Sequence, residues 1–234
     1  MLTLVPTPIG NLGDITVRAL VVLKEADLIA AEDTRHSGIL LRHYDIRKPM
    51  LSYHEHNEAR RTVELLGRLK AGENVVVITD AGMPSISDPG LRLLQACQSE
   101  GIEYTVLPGP SSVMTALVGS GFPTAAFYFG GFLPPKSGSR EREIVTAGNR
   151  EETSIYFESP HRLLRTLEAF LKHLPDREIC VARELTKQYE EYRRGIATEL
   201  VEHFTRNPPK GEIVILLRPL TKKERRDNSR NKPE

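Results

Sequence analysis

Short apolar runs alternate with longer segments in which apolar residues recur every three and four positions, almost from one end of the chain to the other. The runs predict strands over residues 2–5, 27–31, 50–53, 75–79, 103–107, 127–131, 154–158, 178–182 and 213–217, each bounded by turn residues or charge. The run VVVIT is apolar nearly throughout, as in a central strand buried on both faces. The longer segments 17–25, 58–70, 90–100 and 163–172 predict helices. Val63, Leu65, Leu66 and Leu69 show the spacing. Strands and helices in alternation predict an α/β protein, rather than separate all-α and all-β parts, with helices packed on a sheet.

Glycine, proline and aromatic residues concentrate between residues 119 and 135, where two α/β blocks meet. This places a division near Gly121 and predicts an N-terminal domain over 1–120 and a C-terminal domain over 121–220. Residues 221–234 are polar, charged or proline and cannot bury apolar surface, which predicts a disordered basic tail.

Ligands of open α/β sheets bind beyond the carboxyl ends of the strands, so the residues after each strand carry the chemistry. After the first strand comes PTPIGNLGD, a tight turn with a helix cap that lacks the spacing of a dinucleotide fingerprint. After the second comes EDTRH, where a helix cap explains Asp33 or Thr34 but leaves Glu32 and Arg35 for function. His54 and His56 follow the third strand without a further ligand at zinc spacing, so no metal site is expected. The fourth loop, TDAGMPSISDPG, concentrates glycine, proline, serine and Asp80. Glycine lets backbone approach a ligand, proline holds the loop's shape, and exposed amides read a polar ligand. The fifth loop, PGPSS, repeats the design with hydroxyls opening a helix. Later strands end in ESPHR and ARELTK, again with charge at the strand end.

The chain has 234 residues, with 32 basic and 31 acidic side chains, so no bulk field points to nucleic acid and any basic surface is local. Cys97 and Cys180 lie far apart in apolar contexts and read as reduced, buried thiols. No signal-peptide pattern or membrane-length apolar run is visible, which implies a cytoplasmic protein without a membrane partner. Nucleophile-elbow, Walker and kinase signatures are also missing from the sequence, which disfavours covalent hydrolysis and phosphoryl transfer.

Six segments in order, VPTPIGNLGD, AEDTR, TDAGMPSISDPG, PGPSS, ESPHR and ARELTK, resemble the tetrapyrrole-methylase superfamily, and within it the branch acting on small-subunit ribosomal RNA. The resemblance implies two α/β domains of the tetrapyrrole-methylase type with S-adenosyl-L-methionine in the cleft between them. It also implies a homodimer and 2′-O-methylation of a cytidine ribose in the decoding region of 16S rRNA, presented as naked RNA or in the small ribosomal subunit. Carried over by motif, cofactor binding falls to Pro8, Asp80, Ala81, Gly82, Met83, Ile86, Ser111 and Ser112, with Glu158 and Arg183 from the second domain. Many relatives carry a further helical region at the C-terminus, whereas this sequence ends in the short polar stretch.

A ribose hydroxyl is a poor nucleophile, so methyl transfer to it calls for a base or a cation near the acceptor. Glu32, Glu158 and Glu184 are candidate bases. Arg35, Arg183 and Lys187 are candidates to hold phosphate or polarise the hydroxyl, with Arg35 and Lys187 expected to contact RNA. Phe127, Tyr128, Phe129 and the Arg140–Arg142 segment are further candidates for RNA, although such runs more often form core strand and solvated helix. A methyltransferase for a tetrapyrrole-like small molecule and a non-catalytic RNA-binding protein are the competing readings.

Overall fold

A computed structural model describes residues 1–221 and Glu224. The described chain forms two compact units, Met1–Ser111 and Ser112–Glu234.

The first unit runs β1 (Leu2–Leu4), a short 3-10 turn (Leu12–Asp14), α1 (Val17–Glu25), β2 (Leu28–Ala31), α2 (Thr34–His43), β3 (Met50–Ser52), α3 (Glu58–Lys70), β4 (Val75–Ile78), α4 (Leu91–Ser99) and β5 (Tyr104–Val106). Its strands pair in the order β3-β2-β4-β1-β5, every pair parallel. The three inner strands are buried along their whole length, as their unbroken apolar runs require. Alternate side chains feed opposite faces: Val76 and Ile78 join Leu23, Ile29 and Leu41 on one side, while Val75 and Val77 join Leu65, Leu69 and Leu93 on the other. Leu65 and Leu93 are fully buried, and truncating such a residue to alanine costs about 2–5 kcal/mol. Helix starts are chemically marked: Thr16 accepts the Ala19 N–H and Asp33 accepts the Arg35 N–H.

The second unit runs α5 (Ser112–Ser120), β6 (Phe127–Phe132), α6 (Ser137–Gly148), β7 (Thr153–Glu158), α7 (Leu163–His173), β8 (Ile179–Arg183), β9 (Glu191–Gly195), α8 (Ala197–Arg206) and β10 (Ile213–Leu217). Its sheet order is β6-β7-β10-β8-β9. Only β6 and β7 pair in parallel; β7–β10, β10–β8 and β8–β9 are antiparallel. Strand β10 forms the buried centre, with Ile213, Ile215 and Leu217 packed among Phe170, Leu200 and Phe204.

Strand β9, EYRRG, has no apolar run to announce it. It is a half-exposed edge strand that pairs with β8 on one side. The glycine-rich segment near Gly121 falls just after α5, whereas the units divide just before that helix. Helix α5 buries Val113, Ala116 and Leu117 and packs on β8, β9 and β10. A side chain at Gly119 would collide with the Tyr192 ring of β9. Of the expected tail, only Thr221 and Glu224 lie within the described residues. Cys97 and Cys180 are buried free thiols. Among the described residues no helix is long and apolar enough to cross a membrane.

Candidate active site

All strands of the first sheet run parallel, so their carboxyl ends share one edge and the loops that follow β1, β2, β4 and β5 meet there. Thr7 and Gly82 exchange backbone hydrogen bonds of 3.0 and 2.9 Å, and the Thr7 hydroxyl donates to the Thr79 carbonyl at 3.0 Å. These bonds tie the first loop to the fourth. Gly109 brings the fifth loop against the first, because a Cβ there would meet Pro6 at 2.9 Å. Asp80 ties the fourth loop to the second: its carboxylate accepts the Asp33 N–H at 3.1 Å, and its own N–H donates to Glu32 at 3.4 Å.

The fourth loop is built on left-handed backbone, at Gly82 (φ 77°) and Gly90 (φ 135°), but also at Ser85 (φ 71°) and Ser87 (φ 67°). Non-glycine residues there carry strain of order 1 kcal/mol each, a cost that concentrates at ligand sites. The loop is pinned at its end by the Gly90 N–H, which donates to Glu58 at 3.2 Å. Ser85 Oγ is buried without a partner among the described residues. Such a polar, backbone-lined cradle fits a ligand rich in donors and acceptors, as the cofactor of methyl transfer is.

Three carboxyls gather in this cluster. Burial raises the pKa of Glu32, with the Asp80 N–H opposing the shift and the Asp80 charge adding to it. Asp88 is pushed up to about 7, first by burial and then by the charges of Glu32 and Asp80. Asp33, by contrast, is held well below the usual carboxylate range by its hydrogen bonds from Arg35, at 2.8 Å to the terminal nitrogen. The Arg35 side chain is 91% exposed.

In the second unit β7 and β8 both run antiparallel to β10, and Ile213 lies between Glu158 and Arg183 in register. Their strand-end groups therefore share one edge as well. Glu158 is 3% exposed and accepts from the Ser159 N–H at 2.7 Å, the Thr166 hydroxyl at 2.6 Å and Arg162 at 3.2 Å. Arg183 donates to Glu191 at 2.6 Å. Lys187 sits between Glu184 at 2.9 Å and Glu212 at 2.7 Å. Burial works against the charge on both Glu184 and Lys187, but their mutual pairing and Glu212 outweigh it, lowering Glu184 and raising Lys187. Glu184 and Thr186 are left-handed, at φ 50° and 63°, and a side chain at Gly211 would collide with the Glu184 carboxylate.

At the first unit's strand edge the structure thus gathers Pro8, Glu32, Asp80, Ala81, Gly82 and Met83. Pro8 and Gly82 are buried, Ser111 closes the fifth loop, and Ile86 is 43% exposed on the fourth. Glu158, Arg183, Glu184 and Lys187 gather at the second unit's edge, and Ser112 is the first residue of α5. Glu158 and Arg183 are already engaged by partners of their own unit, which suits them to hold the edge in shape. Sequence reasoning passed over Thr7, Glu58, Asp88 and Glu212. Asp88 stands inside the quoted loop, and only its burial beside two carboxyls distinguishes it.

A parallel α/β unit with a strained, glycine-shaped strand-end loop, joined to a mixed-sheet unit with charged strand ends, defines a two-unit α/β enzyme. The model of the Tetrapyrrole (Corrin/Porphyrin) Methylases matches residues 1–201, and the chain belongs to that family. It is 48% identical to the ribosomal RNA small subunit methyltransferase I of Thermotoga maritima over 216 residues, covering 92% of this chain and 97% of that protein. It is 46% identical to the protein of that name from Synechocystis sp., covering 96% of this chain and 81% of the relative. The Bacillus subtilis protein of that name is 43% identical, with 93% and 74% covered. In fold, the chain is similar to diphthine synthase, with a TM-score of 0.75 at 14% identity over 93% of this chain and 89% of that one. It is similar also to cobalt precorrin-4 methyltransferase, with a TM-score of 0.70 at 18% identity over 93% and 94%.

Proposed function

We propose that this chain transfers a methyl group from S-adenosylmethionine to the 2′-oxygen of a cytidine ribose in the decoding region of 16S rRNA. It does so as a cytoplasmic homodimer acting on the small ribosomal subunit. What carries the reading is kinship over nearly the whole chain with proteins named for methylation of small-subunit ribosomal RNA.

S-adenosylmethionine, when bound, supplies a methyl group already activated on a sulfonium, and leaves the protein the tasks of binding, orienting and excluding water. Pro8, Asp80, Ala81, Gly82, Met83, Ile86, Ser111 and Ser112 hold it, with the carboxyls of Glu32, Asp80 and Asp88 offering a negative environment to its cationic groups. Glu158 and Arg183, the cofactor candidates of the second unit, fix that unit's own strand edge. As the methyl reaches the 2′-oxygen the hydroxyl proton must leave. Glu32, whose burial makes it the more basic carboxylate, is suited to take it, while Glu184 is kept ionised by Lys187. Arg35 and Lys187 face the RNA. The Arg35–Asp33 pair is exposed and therefore weak enough to exchange for a phosphate.

The test offers labelled S-adenosylmethionine with either undermethylated small ribosomal subunits or a precorrin-type macrocycle. Label recovered in 16S rRNA supports the reading. Label in the macrocycle, or RNA binding without transfer, contradicts it.

A further inference from the structure

We infer that the second unit carries a phosphate-binding pocket between α6 and α7 that grips the RNA backbone. The inference rests on the rRNA reading above. A cavity of about 650 Å³ lies there, lined by Arg140, Arg162, Arg165 and Lys172 against the carboxylates of Glu141 and Glu168. Cations outnumber anions in it, and their pairing divides them further. Lys172 donates to Glu141 at 2.7 Å, and Arg162 donates to Glu158 at 3.2 Å and to the Leu133 carbonyl. Arg140 and Arg165 have no carboxylate partner among the described residues.

Arg140 is the unusual member. It is only 6% exposed, its Nη1 donates to the Pro135 carbonyl at 3.2 Å, and its Nε is buried with no partner. A guanidinium held in place by a carbonyl, with donor capacity unspent and no carboxylate paired to it among the described residues, is kept at a cost unless an anion arrives. Helix α6 adds to this. Its first residue, Ser137, lines the same cavity with its hydroxyl donating to Glu141 at 3.0 Å, and the cap position Lys136 makes no side-chain cap, so the positive end of the helix faces this region. Pro135 follows β6 and Arg162 follows β7, strands that run in parallel, so the pocket lies beyond the carboxyl ends of both, at the edge that carries Glu158.

No aromatic side chain lines the cavity, so it is not made to stack a base. Cations without aromatics read phosphate, and a phosphodiester backbone supplies phosphates regardless of sequence. The pocket therefore serves affinity and placement of the RNA, and leaves the choice of nucleotide to the reaction site.

The test uses the full chain with Arg165→Glu, an exposed position whose change leaves the core alone, and Arg140→Gln as a second variant, both checked for an unaltered circular dichroism spectrum. Affinity for small-subunit RNA is measured across salt concentrations, with S-adenosylmethionine binding and turnover measured in parallel. Each variant is expected to weaken RNA binding roughly tenfold and to lower the slope of log K against log salt by about one. The effect should fall on KM for RNA, with kcat and S-adenosylmethionine affinity unchanged. Unaltered RNA affinity and slope in both folded variants, with wild-type protein methylating RNA, overturn the pocket and leave the rRNA reading standing. A wild-type protein that neither binds nor methylates RNA overturns both. Stabilisation of wild type by inorganic phosphate, lost in Arg140→Gln while RNA affinity is unmoved, also overturns the proposal, since the pocket then serves a free phosphate.

Discussion

The Asp80 carboxylate accepts the backbone N–H of Asp33 at 3.1 Å, so the loops that follow β4 and β2 are fixed to one another by a residue of the very loop proposed to hold the methyl donor. Glu32 completes the link by accepting the Asp80 N–H. Replacing Asp80 with alanine removes the acceptor and one of the three clustered carboxyls together. Asp80→Ala is expected to weaken S-adenosylmethionine binding about tenfold, equivalent to ~1.4 kcal/mol, while costing about 1 kcal/mol of stability. Isothermal titration calorimetry and urea denaturation check the two numbers. Unchanged cofactor affinity would remove Asp80 from the binding set.

The protonation of Asp88 gives a pH signature with a definite sign. Its folded value of about 7 stands above the usual 3.8, so between these values the folded protein holds a proton that the unfolded chain has released. Stability from this group is full below the lower value and is lost as pH rises through the upper one. Asp88→Asn is expected to flatten that decline, seen as denaturation midpoints that differ from wild type at about pH 8 and converge near about pH 4. A cationic ligand beside the three carboxyls favours the ionised form. Binding of S-adenosylmethionine should therefore tighten from about pH 6 to about pH 8 with net proton release, a trend that Asp88→Asn should blunt. Affinity independent of pH would argue against a cation in this cluster.

Glu158 was expected at the cofactor, and its contacts point to a scaffold role. Glu158→Ala would leave Arg162 and Thr166 without their buried acceptor, a loss of about 3 kcal/mol in urea denaturation. Glu158→Gln, which keeps one acceptor oxygen, should lose clearly less. Equal stability of wild type and Glu158→Ala, with cofactor affinity abolished, would return the residue to a direct binding role.

Lys187 is held by two carboxylates, one of them, Glu212, 70% exposed, so the pairing contributes at most about 1 kcal/mol to the fold. If it contacts RNA, Lys187→Ala should lower kcat/KM for RNA by at least roughly tenfold with stability almost untouched. A kcat/KM equal to wild type would take it off the acceptor side.

Much of the architecture is visible in the apolar pattern because the buried strands are nearly pure runs: VVVIT gives β4 and IVILL gives β10 to within a residue. The pattern fails where burial is partial. The edge strand β9 is polar, and α5 reads as part of the first block because its apolar face shows neither which sheet it covers nor that Gly119 is shaped by Tyr192. Loop composition marks the strand ends as the place of chemistry, since glycine and proline record backbone shape directly. It does not reveal that Asp80 links two loops, that Asp88 sits beside two carboxyls, or that Glu158 is spent on Arg162 and Thr166. The first two facts depend on residues tens of positions apart meeting at one sheet edge, and the third on a strand end folding back onto the helix that follows it.

The most direct measurement is nucleoside analysis of 16S rRNA from undermethylated small subunits after incubation with the protein and S-adenosylmethionine. Mass spectrometry of the digested RNA should show one new 2′-O-methylcytidine, mapping to the decoding region and formed more slowly by Asp80→Ala at limiting S-adenosylmethionine. A methyl group found on a base, or RNA left unmodified by folded, cofactor-bound protein, would contradict ribose methylation.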